Sequence, residues 1–193
     1  MTIACVVMAS GHSKRFGQDK LMYPLDGIPV CERTFHALSL CAFSKVCVVA
    51  RDKRIMDIAS RMGFTPVQNN DVTDNIAMTI KLGVAALPED TAGCLFCVAD
   101  QPWLSEKSVS RLLESFNAGP HNIYALSWKG ISGNPVLFPR ALFSSLSTLQ
   151  PGQSGKAVIA GNRRLLKLVE ADNDQSLADV DYPADLKRYY YRQ

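Results

Sequence analysis

Residues 3–20 read IACVVMASGHSKRFGQDK, and this stretch indicates how the fold begins. Residues 3–8 form an apolar run typical of a buried strand, and the run breaks into a loop that contains Gly11 and Gly17. Glycines let the backbone approach an anion closely and turn its N–H groups toward it. Three nearby cations bring compensating charge: Lys14, Arg15 and Lys20. The stretch therefore predicts a strand followed by a phosphate-binding loop; the alternative is a strand-to-helix turn with a solvated basic patch.

The loop does not match either of the two commonest phosphate-binding patterns. A Walker A loop has a second glycine after four intervening residues, and the position that follows Gly11 by this spacing holds Phe16. A dinucleotide fingerprint needs the spacing G-x-G-x-x-G, whereas Gly11 and Gly17 are six positions apart. A dehydrogenase function is disfavoured for the same reason, and no acidic residue is suitably placed after the second predicted strand.

Strand and helix patterns alternate along the chain, which favours an α/β fold. Strands are predicted at 3–8, 45–50, 65–68, 94–99, 123–128, 135–138 and 165–169; most are apolar runs, and 65–68 is a short strand. Helix starts are predicted at five residues, namely Pro29, Asp52, Asp74, Ser105 and Pro183. We expect a single domain spanning residues 1–193, with a mostly parallel open sheet flanked by helices.

Ligands of such sheets bind at the carboxyl ends of the strands, where Asp100 is expected. Asp100 follows the apolar strand 94–99 and precedes Pro102, which restricts the turn. A carboxylate there, facing a phosphate loop, suits Mg²⁺, which takes one or two carboxylates together with substrate phosphates and water. The alternative is an aspartate that caps the turn before the next helix.

Composition restricts the partners and the compartment. The formal net charge of +3 is too small to argue for nucleic acid or a membrane surface. No apolar run reaches the roughly 20 residues that a transmembrane helix needs, so we expect a cytoplasmic protein. Cys94 and Cys97 have C-x-x-C spacing but fall in a predicted strand, where residues three apart point to opposite faces. Buried reduced thiols are therefore expected instead of a metal site or a disulfide.

The pattern A-x-G-x-S-x-R-F-G-x-x-K at 9–20 resembles the signature of nucleotidyltransferases of the molybdenum-cofactor type. Residues 98–104, VADQPWL, resemble the motif that these enzymes carry at their metal site. Weaker matches follow at 69–83, near the nucleotide, at 130–138, on the acceptor side, and at 179–186, the closing motif. The resemblance covers nearly the whole chain and implies a Rossmann-like nucleotidyltransferase fold.

The resemblance also implies a set of functional residues. Arg15, Lys20 and Asp100 would be catalytic, and Asp100 and Asp181 would hold Mg²⁺. The residues implied in nucleotide binding are Ala9, Ser10, Gly11, Ser13, Arg15, Lys20 and Asn69. Two of these sites have an alternative: Asp181 would cap the helix that begins at Pro183, and Ser13 would bond its own backbone instead of a phosphate.

The implied substrates are CTP and molybdopterin, with pyrophosphate as the second product and a molybdoenzyme or its chaperone as the recipient of the cofactor. Several positions depart from the family pattern and leave the base and the acceptor open: Ser10, Asn75, Asn134 and Gln153. The alternatives are therefore a guanylyltransferase, a sugar-phosphate nucleotidyltransferase, or a non-catalytic nucleotide-binding protein of the same fold.

Overall fold

The structure is a computed structural model that describes residues 1–13, 16–73 and 75–185. Within these ranges the strands are β1 (Ile3–Ala9), β2 (Pro24–Leu25), β3 (Ile28–Pro29), β4 (Lys45–Ala50), β5 (Thr65–Gln68), β6 (Gly93–Val98), β7 (Ile123–Trp128), β8 (Ile131–Pro139) and β9 (Leu166–Glu170). The helices are α1 (Val30–Ser39), α2 (Lys53–Arg61), α3 (Ile76–Ala85), α4 (Glu106–Ala118), α5 (Phe143–Ser147) and α6 (Gly155–Gly161). Short 3₁₀ turns lie at Arg140–Leu142, Arg163–Leu165 and Asp174–Leu177.

A seven-stranded sheet in the order β5-β4-β1-β6-β8-β7-β9 forms the centre of the molecule. Strand β1 pairs in parallel with β4 and β6, and β9 pairs in parallel with β7. Strand β8 is antiparallel to both of its neighbours, β6 and β7, and is the reversed strand of the sheet. The α/β fold with a mostly parallel open sheet, flanked by helices, is confirmed.

Alternate residues of the central strands pack into two apolar layers, one on each face of the sheet. On β1, Cys5 and Val7 belong to one core cluster, whereas Val6 belongs to the other. Cys97 and Cys94 are divided between the same two clusters, as the period of two along a strand requires. All six cysteines are free thiols, and burial raises the pKa of Cys41 to about 11 and that of Cys31 to about 12.

Strand β8 is longer than the predicted segment 135–138 because it forms a tight hairpin with β7. The turn between them contains Lys129 and Gly130, with φ of 50° and 79°. Two consecutive positive φ values match the right-handed twist of paired strands. A second hairpin, of β2 and β3, turns at Asp26 and Gly27 in the same way and was missed in the sequence.

Helix starts follow the capping residues, with one correction. The Asp52 and Ser105 side chains accept backbone hydrogen bonds at the starts of α2 and α4, as predicted. Helix α3 starts one position later than predicted, after Asn75, whose side chain accepts from the Ala77 N–H. Asp74 lies outside the described residues, as does the predicted C-terminal helix beyond 185; residues 183–185 are helical. No helix in the described ranges is long and apolar enough to cross a membrane.

Candidate active site

The carboxyl ends of β1 and β6 are neighbours, and this brings together residues that are distant in sequence. Val7 pairs with Cys97 and Met8 with Val98, so both strands end at the same edge of the sheet. The loop that follows β1 and the turn that follows β6 therefore border one cavity of about 170 Å³. Its lining includes Ser10, Gly11, Lys20, Asn69 and Asp100.

An ion-paired cluster lies at the floor of this site. The Lys20 Nζ donates to Asp100 Oδ2 at 2.5 Å and to Asp181 Oδ1 at 3.2 Å. The Lys20 and Asp100 side chains are only 12% and 17% exposed, whereas Asp181 is 43% exposed. Burial lowers the pKa of Lys20, but the carboxylates of Asp100 and Asp181 outweigh it and raise the pKa above its ordinary value. Lys20 is therefore fully charged at neutral pH.

Lys20 is held in place by the first half of the glycine loop. The Ser13 hydroxyl accepts a hydrogen bond from the Lys20 backbone N–H at 3.2 Å. Ser13 has a φ of 52°, and its carbonyl accepts from the Phe16 N–H at 3.0 Å, which closes the turn. Ser13 thus bonds to loop backbone in this structure. Lys14 and Arg15, the next two residues of the sequence, are outside the described residues.

The start of the loop leaves space for a ligand beside its backbone. A side chain at Gly11 would meet no atom within 4 Å, so the backbone there is open on the cavity side. Ala9 is the buried last residue of β1. The Ser10 hydroxyl points toward the neighbouring strand and donates to the Val49 carbonyl at 3.0 Å. The open backbone at Gly11 is the feature that phosphate binding requires.

Asn69, after β5, borders the same cavity with a side chain that is 3% exposed. Its Oδ1 accepts from the Asp71 N–H at 2.9 Å, and its Nδ2 donates to the Thr79 hydroxyl at 3.2 Å. These bonds join the loop after β5 to helix α3. Asn69 therefore shapes the cavity opposite the glycine loop.

The closing motif reaches the site from the far end of the chain. The Val180 N–H donates to the Asp100 carbonyl at 2.9 Å, which fixes Asp181 beside Lys20. The backbone N–H groups of Asp181 and Tyr182 donate to Asp185 Oδ2. A small apolar cluster, composed of Phe16, Leu25, Val30 and Val180 with Trp103 packed against it, joins the same segments.

The polar groups fit a hard divalent cation that also binds substrate phosphates. Asp100 Oδ1 is buried and has no hydrogen-bond partner among the described residues. An orphaned carboxylate oxygen of this kind is a suitable ligand for Mg²⁺. Residues 1–13, 16–73 and 75–185 contain no group of three or more His, Cys, Asp or Glu side chains that could hold a metal. A cation here would therefore rely on phosphate oxygens and water for the rest of its coordination.

A larger cavity of about 690 Å³ lies beside the first one, against β6 and β8. Met8, Ile76 and Val98 border both cavities. Gly133 and Asn134 of the predicted acceptor segment line the larger cavity, as do Ser154 and Lys156. A donor and an acceptor bound in the two cavities would therefore be neighbours.

Two further interactions border the site: a bond between the motifs at 98–104 and 179–186, and the contacts of Arg51, a residue that the sequence analysis did not identify. Gln101 is 1% exposed, and its Nε2 donates to Asp179 Oδ1 at 2.9 Å. Asp179 is exposed on one side, but partial desolvation of its carboxylate and then the charge of Asp100 raise its pKa to about 6. Arg51, directly after β4, contacts the Ser10 carbonyl and the His12 ring and donates to the Asp71 carbonyl at 3.3 Å. Its place at the end of a strand beside β1 is the signal that could have identified it.

The fold and this arrangement of residues define a class of enzyme, the nucleotidyltransferases, and comparisons with known proteins agree. The model of the family described as MobA-like NTP transferase domain matches residues 5–171. The chain belongs to this family, and the resemblance in its motifs is confirmed.

Two curated relatives illustrate the range of the family. The molybdenum cofactor cytidylyltransferase of Escherichia coli is 24% identical over 190 residues, which cover 95% of this chain and 93% of that protein. A probable molybdenum cofactor guanylyltransferase of Aquifex aeolicus is 30% identical over 112 residues, which cover 58% of this chain and 53% of that protein.

Solved structures share the fold. A nucleotidyl transferase from Methanothermobacter superposes with a TM-score of 0.81 at 24% identity, covering 97% of this chain and 95% of that one. Rv0371c of Mycobacterium tuberculosis, in complex with manganese, superposes with a TM-score of 0.80 at 19% identity, covering all of both chains.

Proposed function

We propose that the chain works as one nucleotidyltransferase domain over residues 1–193, which transfers CMP from CTP to the phosphate of a molybdopterin-type acceptor. Pyrophosphate is the second product, and Mg²⁺ is the required cation. The match to the E. coli molybdenum cofactor cytidylyltransferase over 95% of the chain supports the choice of substrates. The recipient of the product would be a molybdoenzyme or its chaperone, and the free thiols suit a reducing cytoplasm.

The observation that carries the proposal is the contact between Lys20 and Asp100 at the edge of a cavity bordered by Gly11. One cation and one carboxylate, both largely shielded from solvent and next to an open glycine backbone, provide charges of both signs for a triphosphate and its metal. A phosphate acceptor is already anionic at neutral pH, so the reaction needs no strong general base. Catalysis then rests on positioning and on neutralising charge.

Each residue has a proposed role in an in-line displacement at the α-phosphorus. The N–H groups around Gly11 and the side chains of Ser13 and Arg15 bind phosphate oxygens. Lys20 offsets the charge that develops on the α-phosphate and on the leaving pyrophosphate. Ala9, Ser10 and Asn69 enclose the nucleoside. The acceptor phosphate attacks from the larger cavity, the P–O bond to pyrophosphate breaks, and no proton has to move.

Asp100 and Asp181 are the proposed ligands of the metal. The buried, unpartnered Oδ1 of Asp100 supports this role, and a related fold has been solved in complex with manganese. Bound Mg²⁺ would supply Lewis-acid polarisation of the phosphates and would orient them. The backbone of Asp100 is held in place by the Val180 N–H, which donates to its carbonyl.

A guanylyltransferase is the second candidate. The Aquifex aeolicus relative, a probable molybdenum cofactor guanylyltransferase, is 30% identical over its matched part. Ser10, close to the expected base, matches neither the Ala usual in the cytidylyltransferase branch nor the Gly usual in the guanylyltransferase branch. Base preference therefore has to be measured directly.

The test is pyrophosphate release from CTP, GTP, UTP and ATP, each with molybdopterin and Mg²⁺. We expect turnover with CTP above the other three nucleotides. Lys20→Ala and Asp100→Asn should each lower kcat by about 10²- to 10³-fold. The exposed residues Lys107 and Asp57 provide matched controls, and Lys107→Ala and Asp57→Asn should behave as wild type. A preference for GTP would select the second candidate, and nucleotide binding without turnover would indicate a non-catalytic protein.

A further inference from the structure

We propose that Lys20 is a competitor of the divalent metal: in the nucleotide-free protein its ammonium holds the carboxylates of Asp100 and Asp181, and it releases them when phosphates of the nucleotide bind. This inference rests on the proposed function, since it concerns the order in which the ligands of that site assemble. It assigns Lys20 a task in the free enzyme in addition to its task toward phosphate.

In this structure Lys20 occupies the position between the two carboxylates that a metal would need. Lys20 Nζ lies 2.5 Å from Asp100 Oδ2 and 3.2 Å from Asp181 Oδ1, so one ammonium bridges the two acidic groups. The ammonium and the Asp100 carboxylate are largely withdrawn from solvent, at 12% and 17% exposure. Screening by water is weak at such a site. A divalent cation that approached both carboxylates would therefore meet strong repulsion from Lys20.

The backbone of Lys20 is anchored by hydrogen bonds on both its N–H and its carbonyl. Its backbone N–H is held by the Ser13 hydroxyl at 3.2 Å, and its carbonyl accepts from the Tyr23 N–H at 3.3 Å. Release of the carboxylates thus requires rotation of the side chain alone. Lys20, Asp100 and Gly11 border the same cavity, so phosphates bound at the glycine loop would attract the ammonium from within its reach.

A third observation concerns the oxygen that Lys20 does not use. Asp100 Oδ1 is buried and has no hydrogen-bond partner among the described residues, although Oδ2 of the same carboxylate is bound to Lys20. A buried acceptor without a donor disfavours the free state. If a metal bound after Lys20 had moved away, both Oδ1 and Oδ2 of Asp100 would be available to it. The free protein should accordingly bind metal weakly, and nucleotide should be required for tight binding.

The test is a titration of nucleotide-free protein with Mn²⁺, with unbound metal followed by electron paramagnetic resonance. Lys20→Met removes the charge and keeps an apolar stem. We expect it to bind Mn²⁺ tighter than wild type by about tenfold or more, because the competing charge has been removed. Lys20→Arg keeps the charge and should bind as weakly as wild type. Lys107→Met, on an exposed part of α4, is the matched control.

A double variant shows whether the gained metal uses this site. Lys20→Met with Asp100→Asn should lose the gain in Mn²⁺ affinity. Lys20→Gln is the second variant if Lys20→Met fails to fold, and Mn²⁺ should raise its Tm more than that of wild type. Equal Mn²⁺ affinity of the folded neutral variants and wild type, or a gain that survives Asp100→Asn, would overturn the proposal. The titration contains no nucleotide or acceptor, so its failure would leave the CTP assay unaffected, and the reverse also holds.

Discussion

At the scale of single residues, the active-site edge of the sheet concentrates more negative charge than Lys20 can balance. Asp179 lies close to Asp100, and its carboxylate accepts one hydrogen bond from the buried amide of Gln101. Burial and the neighbouring charges raise the pKa of Asp179 to about 6 from an ordinary value of 3.8. At neutral pH the charged Asp179 carboxylate therefore destabilises the folded protein. Perturbed pKa values of this kind are common at functional sites.

Asp179 leads to a prediction on stability and pH. Because its pKa is raised in the folded state, its contribution to stability is greatest below pH 3.8 and is lost as the pH rises through about 6. Asp179→Asn keeps the acceptor for Gln101 and removes the charge. Because Asp179 is exposed to water, which screens its charge, we expect a gain of only about 1 kcal/mol at pH 7, smaller than the full pKa shift would imply.

Urea unfolding at pH 4, 5.5 and 7 measures this effect. The difference between Asp179→Asn and wild type should shrink as the pH falls toward 4. Asp57→Asn, at an exposed position of α2, serves as the control. A variant that is less stable than wild type at pH 7 would contradict the assignment.

Arg51 leads to a prediction on nucleotide affinity. It connects the glycine loop, through the Ser10 carbonyl, with the loop after β5, through the Asp71 carbonyl. Arg51→Ala should leave both loops less ordered and weaken nucleotide binding by about tenfold, because the bound arrangement is no longer preorganised. Calorimetric titration with the nucleotide measures this change. Arg61→Ala, exposed at the end of α2, should bind as wild type, and an unchanged affinity of Arg51→Ala would exclude the positioning role.

At the scale of elements, side chains at strand and helix ends fix where the loops of the site lie. Asp172, just after β9, accepts hydrogen bonds on one carboxylate oxygen from the hydroxyls of Ser105, Ser108 and Ser176. These bonds fasten the segment that carries Asp179 and Asp181 to the start of α4. Burial raises the pKa of Asp172, but the three hydroxyls outweigh it and lower the pKa below its ordinary value.

The Asp172 cluster should contribute measurably to stability at neutral pH. Asp172→Ala removes the acceptor and leaves three hydroxyls to find other partners, so we expect a loss of about 2 kcal/mol. The contribution of a group with a lowered pKa is present above pH 3.8 and is lost as the pH falls further. Denaturant unfolding at pH 7 and pH 3 would show the loss at pH 7 and a smaller one at pH 3. Asp57→Ala, at an exposed position of α2, is the control, and equal effects of the two changes at pH 7 would contradict the cluster's role.

Helix α3 approaches the sheet closely at Gly83. A Cβ at this position would lie 2.4 Å from Cγ1 of Val6, which is fully buried on β1. Gly83→Ala should therefore destabilise the fold by about 1–3 kcal/mol through overpacking. Thermal and urea unfolding measure the change. Gly161→Ala, where a Cβ would meet nothing within 4 Å, should be neutral or slightly stabilising, and an equally mild Gly83→Ala would show that α3 can move away.

Elements with strong local signals could be predicted from the sequence, and those that depend on distant contacts could not. The strands Lys45–Ala50 and Ile123–Trp128 agree with their predicted bounds because each is a mostly apolar run, and the short strand Thr65–Gln68 also agrees. Strand β8 extends beyond its apolar core because of the hairpin with β7, and that pairing is not local. The cap at Asn75 could not be selected from the sequence, because Asp74 and Asn75 are adjacent and either residue type can begin a helix.

The motifs of the site could be identified from the sequence, but the hydrogen-bond partners of their side chains are visible only in the folded structure. The contact of Lys20 with Asp100 follows from neighbouring strand ends, which a parallel sheet makes predictable. The bonds of Asn69 to Thr79, and of Gln101 to Asp179, depend on side-chain packing that no spacing rule contains. Arg51 was missed because a lone arginine after a strand is usually solvated.

At the scale of the whole molecule, the ends of the chain close one site. Phe16 and Val180 belong to one apolar cluster, and Lys20 contacts Asp181, so the loop after the first strand and the final described segment stabilise each other. The reversed strand β8 separates the parallel half of the sheet from β7 and β9. The two cavities lie side by side at this transition, which suits a reaction that joins two substrates.

The measurement that tests the central claim most directly is calorimetric titration of the protein with CTP, with and without Mg²⁺. Wild type, Asp100→Asn and the control Asp57→Asn are compared, and GTP is titrated in parallel. We expect binding of CTP that requires Mg²⁺, exceeds that of GTP and is lost in Asp100→Asn alone. Absence of binding for both nucleotides, or equal binding by Asp100→Asn, would contradict the account of the site.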